Sequence, residues 1–136
     1  SRRVKTVGGH IDLNPTLAEM LDLPPAGSWQ GRSLFALGRP PRVYFYAAND
    51  DYLLGVREQD QKYIYNATIG REQLFDLAAD PHEQINLALE DTERCRELRS
   101  RVAAWVKYEE GHIARLRQQT PKRRVVAAGV AHGAEQ

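Results

Sequence analysis

Residues 73–88, Gln-Leu-Phe-Asp-Leu-Ala-Ala-Asp-Pro-His-Glu-Gln-Ile-Asn-Leu-Ala, leave this chain little freedom in how one element passes into the next. Leu74, Phe75 and Leu77 form an apolar run of strand type, and Asp80-Pro81 cuts it off. The Asp80 side chain can accept hydrogen bonds from the turn that follows it. Pro81 suits a first helical position, where no backbone donor is missed, and Glu83 completes a capping box. The segment therefore predicts a strand, a tight turn and a helix start.

Three more strands precede it. Arg42 to Ala47 alternates Val43, Phe45 and Ala47 with Tyr44 and Tyr46, and Asn49-Asp50-Asp51 is a turn signal. Tyr52 to Glu58 follows, with Leu54 and Val56 facing one way. Gln59-Asp60-Gln61 turns into Lys62 to Asn66, and residues 67–71, with Gly70, turn into Glu72 to Leu77. Short strands joined by short turns predict an antiparallel meander, which needs a cover on at least one face. The expected cover is a helix over about 91–119, where Leu98, Val102, Trp105, Val106, Ile113 and Leu116 recur at helical spacing. Arg94, Arg96, Arg99, Arg101 and Lys107 would point elsewhere, and Gly111 marks a place for a kink or split. The fold class expected is α+β: a small antiparallel sheet of about four strands under a long C-terminal helix.

The flanks are less regular. Residues 1–9 are basic and then glycine-rich, as in an entry strand or loop. Asn14-Pro15 is a helix start with Leu17, Ala18 and Leu21 on one face, and Pro24-Pro25 stops it. Residues 26–41 read as a surface loop in which Trp29 packs against the domain below. Beyond Pro121, Lys122-Arg123-Arg124 and a tail of small residues are expected to be a solvated, disordered terminus.

Composition narrows the function classes. A net charge of +1 gives no overall pull toward nucleic acid or an anionic membrane surface. No apolar run approaches the roughly 20 residues of a membrane helix, and no signal peptide is visible at Ser1. The single cysteine, Cys95, forbids an internal disulfide. Its C-x5-R spacing to Arg101 lacks the glycine-rich anion loop that a cysteine phosphatase requires, so Cys95 reads as a small apolar side chain on the buried stripe of the helix. Of the four histidines, none has the spacing of a metal ligand pair. His82 is expected in an exposed turn, His112 on the covering helix and His132 in the tail. His10 alone is kept as a substrate-binding candidate, at the rim of a site, against a structural hydrogen bond as the other reading. Asp12 and Asn14 beside it are expected as turn and cap residues, and Asp50-Asp51 as turn chemistry rather than a metal pair.

Four strings together resemble the C-terminal region of the sulfatase family, within the alkaline-phosphatase-like superfamily. Residues 73–88 match its LYDL…DP.E..NL signature. His10-Ile11-Asp12-Leu13-Asn14-Pro15-Thr16-Leu17 matches H-x-D-x-x-P-T-L, Gly31-Arg32-Ser33-Leu34 matches G-[KR]-S-L, and Lys62-Tyr63-Ile64 matches a K-Y-I strand. The resemblance covers about residues 7–90. It implies that residues 1–40 end a catalytic α/β domain, that 41–120 form the C-terminal sheet-plus-helix subdomain of that fold, and that 121–136 are the tail.

The same resemblance implies a parent enzyme with a formylglycine nucleophile made within C/S-x-P/S-x-R, and a divalent metal, usually Ca²⁺, held by Asp-Asp and Asp-Asn or Asp-His pairs. None of those motifs is in this sequence; Cys95-Arg96-Glu97-Leu98-Arg99 has Glu97 where Pro or Ser is required. The expectation is a non-catalytic piece of a hydrolase of sulfate esters, or of related phosphate or phosphonate esters. It has no catalytic residue and no metal ligand of its own, and its partner is the upstream catalytic domain of the same polypeptide. In isolation a homodimer is expected through apolar surface around Val7, Ile11, Leu17 and Leu21. Two alternatives stay open: a stand-alone interaction module without chemistry, and the C-terminal part of a membrane-anchored phosphoglycerol-transferase-type relative. The compartment is open among exported, periplasmic and membrane-anchored.

Overall fold

The alternation between Arg42 and Asp76 is realised as four strands in the computed structural model, which describes residues 5–119. They are β1 Arg42–Ala48, β2 Tyr52–Glu58, β3 Gln61–Asn66 and β4 Arg71–Asp76, each within one residue of its expected limits. They pair antiparallel in chain order. Tyr44 lies opposite Val56, Val56 opposite Tyr63 and Tyr63 opposite Leu74. Opposed residues share a face and side chains alternate with a period of two, so these residues, with Leu54 and Tyr65, make one apolar face.

Helix α2, Thr92–Gln119, covers that face. Cys95, Leu98 and Val102 pack with Val56, Tyr63, Leu74 and Ala88 as the core, and Val106 joins its edge. Their spacing of three and four keeps them on one side of the helix. Trp105 stacks on Tyr44 with ring centroids 5.1 Å apart and planes within 5°. Leu98, Val56 and Tyr63 are fully buried, and each such side chain contributes about 1.5–3 kcal/mol. The helix runs through Gly111 unbroken. Past Val106 the stripe outruns the sheet, and Ile113 and Leu116 stay about half exposed.

The helix arginines do not all turn to solvent. Glu58 of β2 takes Arg94 at 2.9 Å and also Arg101, with Arg42 at 3.3 Å. Glu72 of β4 accepts from Arg99 and from the Tyr63 hydroxyl. These pairs clamp both margins of the helix to the sheet. On the other face, Phe45 lies over Gly55, where an added Cβ would be 2.3 Å from the ring.

The capping box expected at Asp80-Pro81-Glu83 does not form, and no helix starts there. Asp80 does cap a turn, accepting from the Ile85 N–H at 2.8 Å. Glu83, however, has φ +57°, a left-handed conformation that a right-handed helix cannot contain. Its carboxylate reaches the Lys62 ammonium at 2.7 Å instead. Asn86 then folds back on β4. Its Oδ1 accepts from the N–H of Leu74 at 2.9 Å and of Ala88 at 3.0 Å, and its Nδ2 donates to the Glu72 carbonyl at 3.2 Å. The Leu87 N–H donates to the Leu74 carbonyl at 2.8 Å. The free edge of β4 is thus sealed, and α2 begins later, with Asp91 accepting from the Arg94 N–H at 3.0 Å.

At the N-terminal end, a 3-10 turn His10–Asp12 leads into α1, Leu13–Met20. The helix starts one residue before Asn14. It stops at Leu21 and Asp22 (φ +54°), ahead of Pro24-Pro25. Its buried side is Pro15, Thr16 and Ala18. Leu17 and Leu21 face outward, 48% and 66% exposed, because the loop packs against the small residues. The Thr16 hydroxyl accepts from the Leu34 N–H at 2.9 Å. Gly31 sits so tightly that a Cβ would lie 1.9 Å from the Ile11 carbonyl oxygen. The expected tail, with Lys122, Arg123, Arg124 and His132, lies outside the described residues.

Candidate functional site

A cleft of about 1210 Å³ lies between the N-terminal segment, β1 and the second half of α2. Tyr44 and Trp105 line its helix side, and Arg39 and Arg42 the end where β1 begins. His10 opens the 3-10 turn and is exposed on the rim. Its side chain makes no hydrogen bond among the described residues.

Asp12 organises the N-terminal wall. It is 5% exposed. It accepts from Arg39 Nη2 at 2.7 Å, the Arg32 N–H at 2.9 Å and the Gly9 N–H at 3.0 Å. Burial by itself pushes the Asp12 carboxyl up, but those hydrogen bonds and the guanidinium charge outweigh it and hold the group below the usual carboxylate range. As expected of a turn and cap residue, Asp12 closes the 3-10 turn through the Gly9 N–H, though it makes no side-chain cap of α1. It ties the His10–Leu17 string to the Gly31–Leu34 string. Arg39 adds hydrogen bonds to the carbonyls of Val7, Arg32 and Ser33. No spacing rule picked out Arg39, because its partner lies 27 residues away across an irregular loop.

The Nε–H groups of Arg39 and Arg42 are buried and have no hydrogen-bond partner among the described residues. Both arginines line the cleft.

Chemistry-bearing groups are otherwise scattered. Cys95 is 2% exposed inside the core, and burial pushes its thiol up, away from the reactive thiolate. His82 is exposed beside Gln84, and His112 stacks near Tyr108. Asp51, in the turn between β1 and β2, accepts from the Asn66 side chain at the end of β3 at 2.7 Å. Among the described residues, no group of His, Cys, Asp or Glu is placed to hold a metal ion. What the described residues offer here is a cleft lined by aromatic rings and by Arg39 and Arg42.

No protein-family model matches the chain. Choline-sulfatase of Rhizobium meliloti (strain 1021) is 39% identical over 93 residues, which is 61% of this chain and 18% of that protein. A sulfatase-like protein of Bacteroides thetaiotaomicron VPI-5482 superposes with a TM-score of 0.62 at 22% identity, over 73% of this chain and 24% of its own. A 2-O GAG sulfatase does so with a TM-score of 0.59 at 23% identity, over 73% and 24%. The chain thus spans about a fifth to a quarter of these relatives. Its sequence is similar to part of choline-sulfatase, and its four-stranded sheet with a long helix has the fold found in part of these sulfatase structures.

Proposed function

We propose that this chain is the non-catalytic C-terminal part of a hydrolase of sulfate esters. The observation that carries the reading is the 39% identity to choline-sulfatase over 93 residues. In this reading the formylglycine nucleophile and the divalent metal, Ca²⁺ by family resemblance, belong to polypeptide outside this sequence. The residues here do not fit the metal, since no His, Cys, Asp or Glu group among those described is clustered for it. Cys95, buried and followed by Glu97 at the third signature position, does not fit the nucleophile.

The part played by these residues is support. Exposed Ile11, Leu13, Leu17, Met20, Leu21 and Leu23 make an apolar row on the N-terminal unit. Rows of this kind mark interaction surfaces, and its partner is the catalytic domain of the same polypeptide. In isolation the same row favours self-association.

Aryl sulfate hydrolysis tests the reading. The chain alone should give no sulfate release above background with Ca²⁺, Mg²⁺, Mn²⁺ or Zn²⁺, while a longer polypeptide carrying the upstream coding sequence should. Turnover by the chain alone that disappears in Cys95→Ser would sink the proposal. So would a folded longer polypeptide that releases no sulfate from any ester offered.

A further inference from the structure

The two edges of the sheet are treated differently. Asn86 and Leu87 seal β4, whereas among the described residues no strand pairs with the outer side of β1. Which β1 groups face outward follows from its neighbours. The Ala67 N–H donates to the Tyr52 carbonyl at 2.8 Å, so the backbone groups of Tyr52 face β3. Tyr52 lies opposite Ala48, and the groups of Ala48 therefore point away from β2. A period of two adds Tyr46, Tyr44 and Arg42 to that set. The Gln59 N–H donates to the Pro41 carbonyl at 2.9 Å, as the alternation requires. Among the described residues these outward groups have no backbone partner.

The open edge is the floor of the cleft. We infer that this cleft receives one extended segment from the catalytic part of the same polypeptide, added to β1 as a fifth strand. The inference rests on the proposed function, because that reading supplies the segment: the chain spans only 18% of choline-sulfatase. Strand addition satisfies main-chain groups on an exposed edge while alternate side chains fill pockets. Here Tyr44, Trp105 and Val106 supply the apolar wall. A second copy of the chain is disfavoured, because the N-terminal unit stands across the cleft and meets α2 through Gln30 and Glu109 at 3.4 Å.

Residue-resolved hydrogen exchange on this chain and on the longer polypeptide tests it. In the chain alone, the amides of Val43, Phe45 and Ala47 should be protected while those of Arg42, Tyr44, Tyr46 and Ala48 exchange freely. In the longer polypeptide, the second set should slow by about tenfold or more. Tyr46→Pro removes an outward N–H, so it should leave the melting temperature of the chain alone unchanged while abolishing the added protection at Arg42, Tyr44 and Ala48 in the longer protein. Equal exchange of the outward amides in both proteins overturns the inference. So does outward protection already present in the chain alone, which, if it rises with protein concentration, assigns the edge to a second copy. Aryl sulfate turnover is measured on the same samples. Activity with an open edge refutes the added strand and spares the proposed function; a closed edge without activity does the reverse.

Discussion

Replacing Asn86 by Ala removes the seal on β4, and the cost can be worked from three hydrogen bonds. Oδ1 holds the N–H groups of Leu74 and Ala88, and Nδ2 holds the Glu72 carbonyl. Each bond contributes about 1 kcal/mol net, and a buried donor left unsatisfied costs about 1–3 kcal/mol. Leu74 is 2% exposed, so its orphaned N–H sits at the costly end of that range. Asn86→Ala should therefore destabilise the chain by about 2–4 kcal/mol, a large share of the roughly 5–15 kcal/mol typical of a domain. Asn86→Asp keeps the acceptor for both N–H groups but sets a carboxylate oxygen against the Glu72 carbonyl, so it should recover only part of that loss. Urea unfolding followed by far-UV circular dichroism, with an unchanged m-value, measures both. An Ala variant within about 0.5 kcal/mol of the parent, the ordinary range for a surface substitution, or an Asp variant worse than Ala, would refute the reasoning.

Leu98→Ala opens a cavity at a fully buried position and should cost about 2–5 kcal/mol in the same urea assay. The lowered pKa of Asp12 means that its stabilising effect is complete above the unfolded carboxylate value near ~4 and is lost as pH falls through the lower folded value. Asp12→Asn should accordingly be less stable than the parent near neutrality, with the gap narrowing as acid is added; a constant gap across that titration contradicts the assignment. Cys95 should react with a thiol reagent only at the rate of unfolding, since it is 2% exposed and its thiol is pushed up by burial.

The sheet was legible in the sequence because turn residues and period-two alternation are local signals, and each strand lies within one residue of its expected limits. The junction after β4 was misread for an equally local reason. An Asp-Pro pair serves a turn as well as a helix start, and the left-handed conformation of Glu83 is stabilised from outside by Lys62, which is 21 residues away. Arg94, Arg99 and Arg101 resemble any solvated helix face until Glu58 and Glu72 are placed beneath them. The cleft was illegible for the same reason. His10 could be singled out from a motif, but Arg39 and Arg42 gain their place from Asp12, Glu58 and the course of an irregular loop.

The contact of Phe45 with Gly55 bears on how the first hairpin finds its pairing. A slip of two residues between β1 and β2 keeps every apolar side chain on its own face, so the in-out pattern alone does not reject it. It would, however, bring Leu53 or Arg57 under Phe45 in place of Gly55. The ring occupies space that any Cβ would claim, since an added carbon at Gly55 comes within 2.3 Å of it. A gap in one strand and a bulky ring in the other act as key and keyway, so that shifted hairpins are sterically penalised before α2, more than thirty residues downstream of Gly55, has anything to pack against.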